Sequence, residues 1–399
     1  MVAVHAGVAA RPPQSRCDSS PIGGAITLKD GRLSSESASG RETIKAAFLA
    51  GQGLGAARRE PLAGDASTRL YERLHLANGS SLIFMDQPPS VETQPCPPSA
   101  SEAERIALGY NARARLAAGR VDAFIACAGY LRDQGLSAPE IIAADAHAGL
   151  CVLEDLGDDL YASLILGGAD ETPLYDAAID ALVQLHQTRP PEVLTGGGMH
   201  WPLLSYDDLA LRTGGEMFLE WWPKYTGAPA FSAEAVAEWE ALWAPIRARG
   251  VAGASVFCHR DYHAENLIWL PNRPGVARVG LLDFQDALRA HPAWDLSMLL
   301  HDGRRDVSAE REAACIARYL AARPDIDHGQ FLADYHGLGA LNCARILFIF
   351  GRQVAGFGRP KYAAFVPRMW RYLDSCLADP SLSGIKAWFE RETIREARG

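Results

Sequence analysis

The segment 256–300 constrains the fold more than any other part of the chain. Three short apolar runs, VFC, LIW and VGLL, are interrupted by polar groups: Asp261 follows the first run, Asn266 precedes the second and Asp283 follows the third. A short apolar run bounded by polar residues is typical of a buried strand. We therefore expect three short strands whose ends bring the side chains of Asp261, Asn266 and Asp283 to one cleft.

Two carboxylates and an amide in this order fit the requirements of phosphoryl transfer. That chemistry needs one carboxylate to orient and deprotonate a hydroxyl, and an amide oxygen with a second carboxylate to hold magnesium against phosphates. The order His-Arg-Asp, Asn five residues later, then Asp-Phe after a strand matches the kinase catalytic loop. Asp-Phe-Gln at 283–285 stands where many kinases have Asp-Phe-Gly. Taken singly, each of these residues is more often part of a turn or a helix cap.

The hydrophobic period changes near residue 157. Upstream, five segments read as strands and one or two as helices, with Asn78-Gly79 predicting a type I′ hairpin turn. Downstream, most segments carry apolar residues at helical spacing. We predict an α+β, bilobal, protein-kinase-like fold. It comprises a poorly ordered extension at 1–40, a small five-stranded nucleotide-binding lobe at 41–156, and a larger, mainly helical lobe at 157–399 with the catalytic loop, metal site and substrate site.

Charge and cysteine usage restrict the partners. A net charge of −9 argues against nucleic acid and against an anionic membrane surface. The eight cysteines show no C-x-x-C and no Cys/His ligand spacing, which favours reduced thiols in a cytosolic protein over a disulfide scaffold or a zinc site. The most apolar stretch, 339–351, is too short to span a membrane and contains Arg345. We predict a cytoplasmic monomer with a small-molecule substrate; the acid-poor opening leaves a transit peptide as the alternative.

The motifs together resemble a known superfamily. Segment 256–300 is similar to the aminoglycoside phosphotransferase/choline kinase-like superfamily. The span from about 45 to 390 more closely resembles the bacterial anomeric amino-sugar kinases, which phosphorylate N-acetylmuramate and N-acetylglucosamine for cell-wall recycling. The motifs that carry this closer resemblance are GDAST (64–68), IFMDQPP (83–89), CVLEDLGDDLY (151–161), HRDYHAENL (259–267), LLDFQDAL (281–288) and RILFIFGRQVAGFGRPKY (345–362).

The resemblance implies ATP and magnesium as cofactors and a reducing sugar as the substrate. It implies that Asp261 is the base for the C1 hydroxyl and that Asn266 and Asp283 bind magnesium. The backbone from Glu154 to Leu156 is expected to form hydrogen bonds with the edge of the adenine base. A turn is expected to cover the phosphates, formed by Gly64, Asp65, Ala66 and Ser67.

One element of the kinase pattern is missing. The phosphate-binding lysine of the third strand is expected near Met85, but no lysine occurs between Lys45 and Lys224. Arginine, backbone N–H groups or magnesium alone must then hold the phosphates. Arg69 and Arg73 fall at alternate positions of the second strand and are the candidates; solvent-facing strand charges are the alternative.

Further contacts are expected in the second lobe. Arg260 and His263 of the catalytic loop are predicted to position the substrate. Asp295 is predicted to be structural, fixing the loop backbone by hydrogen bonds. Glu216 is a candidate sugar contact, because it lies on a probable helix with Trp221 and Trp222 and sugar sites combine carboxylates with aromatic faces. The alternative for that helix is core packing with a solvated acidic face.

Two other functions stay open at the level of sequence. One is a kinase of another small molecule, such as an aminoglycoside or an amino alcohol, on the same scaffold. The other is a nucleotide-binding pseudokinase, which the missing lysine suggests.

Overall fold

The computed structural model describes residues 35–62, 69–88 and 95–393, with side chains from residue 40 onward. The predicted extension at 1–40 therefore lies almost wholly outside the described residues, and so does the turn at 64–67. From Lys45 onward the chain forms one compact unit.

A five-stranded antiparallel sheet forms the first lobe, as the sequence predicted. Its spatial order is β1-β2-β3-β5-β4. Alternation along the strands separates the two faces. One face packs in a small cluster with Leu49, and the opposite face turns towards the second lobe. The strands are β1 (Arg58–Pro61), β2 (Leu70–His75), β3 (Ser81–Asp86), β4 (Ile141–Asp145) and β5 (Leu150–Glu154).

The hairpin between β2 and β3 differs from the prediction. The Gly79 N–H donates to the Leu76 carbonyl at 3.0 Å, and the Leu76 N–H donates to the Ser80 carbonyl at 2.9 Å. Gly79, with φ 84°, is the one residue of this loop in the left-handed region. A type I′ turn needs positive φ at both central residues, so that prediction is wrong. A longer loop with glycine in the left-handed position connects the two strands.

Helices dominate the rest of the described residues, which also contain three strand pairs. The pairs are β6 (Val193–Gly196) with β7 (Met199–Pro202), β8 (Val256–Cys258) with β11 (Leu288–Ala290), and β9 (Leu267–Trp269) with β10 (Val279–Leu281). The helices are α1 (Ser35–Gly51), α2 (Glu102–Leu108), α3 (Tyr110–Arg113), α4 (Val121–Asp133), α5 (Tyr161–Leu166), α6 (Glu171–His186), α7 (Asp208–Thr226), α8 (Ala233–Ala252), α9 (Ala293–Leu300), α10 (Ala309–Ala321), α11 (His328–Ala355), α12 (Val366–Cys376) and α13 (Ser383–Glu392).

The 28-residue helix α11 runs through the helical lobe and packs on α7, α9 and α12. Its buried residues include Arg345, whose side chain lies against Gly214 of α7. A Cβ at Gly214 would approach the Arg345 Cδ to 3.0 Å, so the glycine leaves room for that side chain. In the part of the chain that the structure covers, no helix has the length and apolar character to cross a membrane.

An aromatic cluster packs around α7, and a substitution in it tests this packing. Phe218 is fully buried and stacks on Trp222 and Trp239, with ring centroids 5.4 and 5.6 Å away. We predict that Phe218→Ala lowers the free energy of unfolding by about 3–5 kcal/mol, because it removes apolar contacts and leaves a cavity. Urea unfolding followed by tryptophan fluorescence measures the change.

The matched control is Leu166→Ala, since Leu166 on α5 is 89% exposed. It should change the free energy of unfolding by less than about 0.5 kcal/mol. Equal effects of the two substitutions would contradict the assignment of Phe218 to the core.

Candidate active site

A cleft of about 420 Å³ lies between the inner face of the five-stranded sheet and the β9–β10 pair. Its walls are mainly apolar, and charged groups stand at both ends. The apolar lining includes Tyr71, Ile83, Leu153, Leu160, Ile268 and Leu282. Arg69, Asn266 and Asp283 line one part of the cleft, and Arg73, Asp155 and Asp158 line another. The flat apolar walls suit a planar ring, and the charged groups suit a polar chain attached to it.

The backbone of the loop after β8 is held by one buried carboxylate. Asp295, at the start of α9, accepts the His259 N–H at 2.6 Å and the Arg260 N–H at 2.8 Å. Its Oδ1 also receives the Cys258 thiol at 3.2 Å. Arg260 has φ 78°, a left-handed conformation that costs energy for a residue with a side chain. The hydrogen bonds to Asp295 stabilise this bend.

Asp261 follows the bend; it is not among the residues that line the cleft, but its backbone carbonyl accepts a hydrogen bond from Asn266, which does line it. The Asp261 side chain is one-third exposed, and its nearest cationic atom is the Arg345 Nη2, 3.8 Å from Oδ1. Burial raises the pKa of Asp261 and Arg345 opposes the shift, while repulsion from Asp283 adds to it. Asp261 is therefore a more basic carboxylate than an aspartate in water, which suits proton abstraction.

Asn266 is fixed by the same loop. Its Nδ2 donates to the Asp261 carbonyl oxygen at 2.9 Å and lies 3.3 Å from the His263 Nε2. Because the amide nitrogen is used inside the loop, the amide oxygen is the atom left for a ligand. Burial and the nearby Arg304 lower the pKa of His263 to about 3, so this ring is neutral and accepts from Asn266.

Asp283 ends the third short strand and is held by two partners. It has φ 60°, and its Oδ1 receives Nη2 of Arg69 at 3.0 Å and Nε2 of Gln285 at 3.0 Å. Arg69 also donates from Nη1 to the Gln285 Oε1 at 2.7 Å. Although burial opposes ionisation, Arg69 and Gln285 lower the pKa of Asp283, which stays a carboxylate at neutral pH.

Arg69 and Arg73 lie on one face of the sheet but bind different carboxylates. Arg69 joins Asp283, whereas the Arg73 Nε pairs with the Asp155 Oδ2 at 2.7 Å and its Nη2 with the Asp158 Oδ1 at 2.7 Å. Their side chains are 10% and 16% exposed. The solvent-facing alternative is therefore wrong for both, and of the two arginines it is Arg69 that contacts Asp283.

Three other expected residues are placed as follows. Glu154 ends β5, and its side chain pairs with Arg273 while its backbone and that of Leu156 border the cleft. Arg260 is buried with its guanidinium 5.2 Å from the centre of the Tyr206 ring.

Glu216 is not among the residues that line the cleft. On α7 it pairs with Arg113 at 3.2 Å and with Arg212 at 3.5 Å. Trp222, which follows on the same helix, is buried in the aromatic core, so the core-packing alternative is correct for that side chain.

Two residues of this region escaped the sequence reasoning. In the sequence, Arg345 appeared only as a charge inside an apolar stretch. A buried cation requires an anion nearby, and in the structure that anion is Asp261. Gln285 appeared only as a departure from Asp-Phe-Gly, yet it bridges Arg69 and Asp283. Its amide supplies both a donor and an acceptor, which glycine does not.

The support of the loop by Asp295 is testable. We predict that Asp295→Ala lowers the free energy of unfolding by about 2–4 kcal/mol, because two buried backbone N–H groups lose their acceptor. Chemical denaturation of the full chain measures the change. Asp133→Ala, at an exposed position at the end of α4, is the control and should leave the stability within about 0.5 kcal/mol. An unchanged stability of Asp295→Ala would show that other groups fix the loop.

Comparison with known proteins identifies the family. A family model described as phosphotransferase enzyme family matches residues 58–338. Over 366 residues the chain is 66% identical to the N-acetylmuramate/N-acetylglucosamine kinase of Caulobacter vibrioides, covering 92% of this chain and 99% of that protein. It is 28% identical to the protein of the same name from Pseudomonas aeruginosa, covering 80% of this chain and 83% of that one.

Solved structures share the architecture. A choline/ethanolamine kinase family protein from Mesorhizobium loti aligns with a TM-score of 0.52 at 15% identity, covering 87% of this chain and 98% of that one. Plasmodium vivax ethanolamine kinase aligns with a TM-score of 0.51 at 12% identity, covering 90% and 97%. These likenesses confirm the predicted α+β, bilobal, protein-kinase-like fold. With its family match over residues 58–338, the chain belongs to the phosphotransferase enzyme family.

Proposed function

We propose that this protein transfers the terminal phosphoryl group of ATP to the anomeric C1 hydroxyl of N-acetylmuramate or N-acetylglucosamine, in the recycling of cell-wall sugars. The observation that carries the proposal is the grouping of Asp261, Asn266 and Asp283 beside an apolar cleft. The 66% identity to a kinase named for these two sugars supports the choice of substrate.

ATP fits the cleft by shape and by chemistry. The apolar walls accept adenine, and the backbone of Glu154–Leu156 offers a carbonyl and an N–H to the edge of the base. Arg69 is the cation beside Asp283 and takes the place of the missing lysine at the phosphates. A guanidinium suits phosphate oxygens because it can donate two parallel hydrogen bonds. Residues 64–67, which lie outside the described residues, are proposed to add backbone N–H groups.

Magnesium fits the donor set beside Arg69. The Asn266 amide oxygen and the Asp283 carboxylate are hard oxygen ligands, the type that magnesium takes together with phosphates and water. The low pKa of Asp283 keeps that ligand ionised. When bound, the ion neutralises phosphate charge and orients the transferred group.

Asp261 acts as the general base. Its carboxylate accepts the proton of the C1 hydroxyl while the oxygen forms a bond to the transferred phosphorus, and ADP leaves with the electrons of the broken P–O bond. The C1 hydroxyl is more acidic than an ordinary alcohol, so a modest base suffices. Arg345, 3.8 Å away, opposes the rise that burial causes in the pKa of Asp261.

The other predicted residues have supporting roles in this proposal. His263 positions the loop through Asn266, and Arg260 does so from its buried place beside Tyr206. Glu216 supports α7 through its two arginine partners. The boundary between the two lobes is proposed to lie between residues 156 and 157. Residues 1–40 are proposed to precede the first lobe as an extension. The protein is proposed to act as a cytoplasmic monomer on a small sugar, without a nucleic acid or membrane partner.

Asp261→Asn tests the base. The substitution removes the proton acceptor and keeps the shape, so kcat should fall by roughly 10²–10⁴-fold while the KM for sugar changes little. Phosphorus NMR of the product formed from N-acetylmuramate and ATP identifies the phosphorylated hydroxyl by its coupling to the C1 proton. Asp133→Asn, on the exposed end of α4, is the control and should keep full turnover.

Full turnover in Asp261→Asn, or a phosphate on another hydroxyl, would overturn the proposal. A panel containing the two sugars, choline and kanamycin completes the test. Preference for a cationic acceptor would indicate a kinase of another small molecule, and binding of magnesium-ATP without any product would indicate a pseudokinase.

Arg69→Ala tests the replacement of the lysine. Loss of the guanidinium should lower kcat/KM for magnesium-ATP by roughly 10²-fold, because a charged phosphate contact is removed. Arg69→Lys should recover part of the loss, since a lysine supplies the charge without the planar fork. Arg58→Ala, at an exposed position in β1, is the control. Unchanged kinetics in Arg69→Ala would show that backbone groups or the metal alone hold the phosphates.

A further inference from the structure

A second group of ligating side chains lies inside the helical lobe, away from the cleft lining. His301 follows α9, Cys343 lies in the middle of α11, and Cys376 ends α12. One ligand atom from each lies within 4.8 Å of the other two, and all three residues are at most 1% exposed. None of them lines the cleft beside Asp283. Three helical elements thus bring two sulfurs and an imidazole to one buried point.

The imidazole is oriented as a metal ligand would be. The His301 Nδ1 lies 4.0 Å from the Cys376 sulfur. On the other side of the ring, Nε2 lies 3.1 Å from a Glu312 carboxylate oxygen and 3.1 Å from the Tyr335 hydroxyl. A carboxylate on the outer nitrogen is the usual second partner of a histidine that binds a metal, because it fixes the ring and its tautomer. With the proton on Nε2, the Nδ1 lone pair points to the sulfurs.

A fourth side chain, an imidazole, is available on the same helix as Cys343. His336 is half-buried and lies outside the cluster formed by the other three residues. It precedes Cys343 by two helical turns, so both project from the same face of α11. Gly339 lies between them, and a Cβ there would stand 3.1 Å from the His301 Cε1 and 3.2 Å from the Cys376 sulfur. The glycine therefore leaves the space in which the ring and the sulfur meet α11.

We propose that Cys343, Cys376 and His301 bind a structural zinc ion, and that His336 supplies the fourth ligand after rotation of its side chain. Two thiolates and two imidazoles are a usual tetrahedral ligand set for zinc, and two thiolates balance the charge of the ion, so the buried centre is neutral. Ideal zinc bond lengths place a sulfur and a nitrogen about 3.6 Å apart. The observed 4.0 Å needs only a small side-chain rotation.

The sequence positions of these ligands explain why the cysteine pattern did not predict a zinc site. Zinc-finger spacing places paired ligands a few residues apart, whereas His301, Cys343 and Cys376 come from three segments that are distant in the sequence. Only the fold brings them together. The ion would join the end of α9 to α11 and α12, and α11 also carries Arg345, two residues after Cys343. Since zinc binds thiolates, binding releases the thiol protons.

Elemental analysis of the full-length protein tests the proposal. Protein purified under reducing conditions and reconstituted with zinc should hold about one zinc per chain after gel filtration. Cys343→Ser and Cys376→Ser should lose it. Cys315→Ser is the matched control, because Cys315 is a buried thiol of α10 outside the cluster, and it should keep the metal.

Two gentler variants keep the test valid if the serine variants fold poorly. Glu312→Gln retains all four ligands and should weaken zinc binding roughly 10–100-fold, because the outer partner of His301 loses its charge. Gly339→Ala should lower the zinc content as well, since its methyl group occupies the meeting point of ring and sulfur. A chelator competition with a colorimetric zinc indicator measures both affinities.

Cobalt identifies the ligands directly. Cobalt-loaded protein should show a thiolate-to-cobalt charge-transfer band and the visible bands of a tetrahedral centre, whereas cobalt at the Asn266 and Asp283 oxygens shows no thiolate band. Loss of the band in Cys343→Ser and its retention in Cys315→Ser would support the proposal. A zinc content near zero after reconstitution, a cobalt spectrum of oxygen ligands only, or a Cys343–Cys376 disulfide without metal would overturn it.

Discussion

The catalytic segment depends on the buried carboxylate of Asp295. A chain that turns from β8 into a cleft must leave backbone N–H groups without a strand partner, and burial of such groups is costly. Asp295 accepts two of them and so stabilises the left-handed bend at Arg260. Asp261 follows the bend, and Asn266 is tied to the Asp261 carbonyl. The proposed base and the proposed amide ligand therefore depend for their positions on one anion at the start of α9.

Charged neighbours around the cleft shift the pKa values of Asp261 and Asp283 in opposite directions. Asp261 has a raised pKa although Arg345 and Arg260 oppose the shift, and the raised pKa favours accepting a proton. Asp283 has a close arginine and a lowered pKa, which favours permanent ionisation. Two aspartates of one site are thus separated in basicity by their environments, as expected when one serves as base and the other as metal ligand.

Local pattern was sufficient to predict the sheet and the short strands of residues 256–281. Asn266 and Asp283 line one cleft as expected, whereas Asp261 is joined to them through the Asn266 side chain and the roles of all three stay predictions. Strand alternation also predicted that Arg69 and Arg73 share a face, but not that Arg73 is held by Asp155 and Asp158. The hairpin at Gly79 was wrong because loop length depends on strand register, which the dipeptide alone does not fix. Glu216 and the His301–Cys343–Cys376 cluster show the same limit, since side-chain neighbours on distant helices are decided by packing.

The contact between Arg69 and Asp283 has a consequence for nucleotide selection under the proposed function. Arg69 precedes β2 of the first lobe and Asp283 follows β10 of the second, so their ion pair, with Gln285, joins the two lobes. A nucleotide bound beside these residues would have to exchange this contact for new partners on both sides. A metal-loaded triphosphate would offer an anion to the arginine and a cation to the aspartate at once, whereas a metal-free nucleotide would satisfy only one of them.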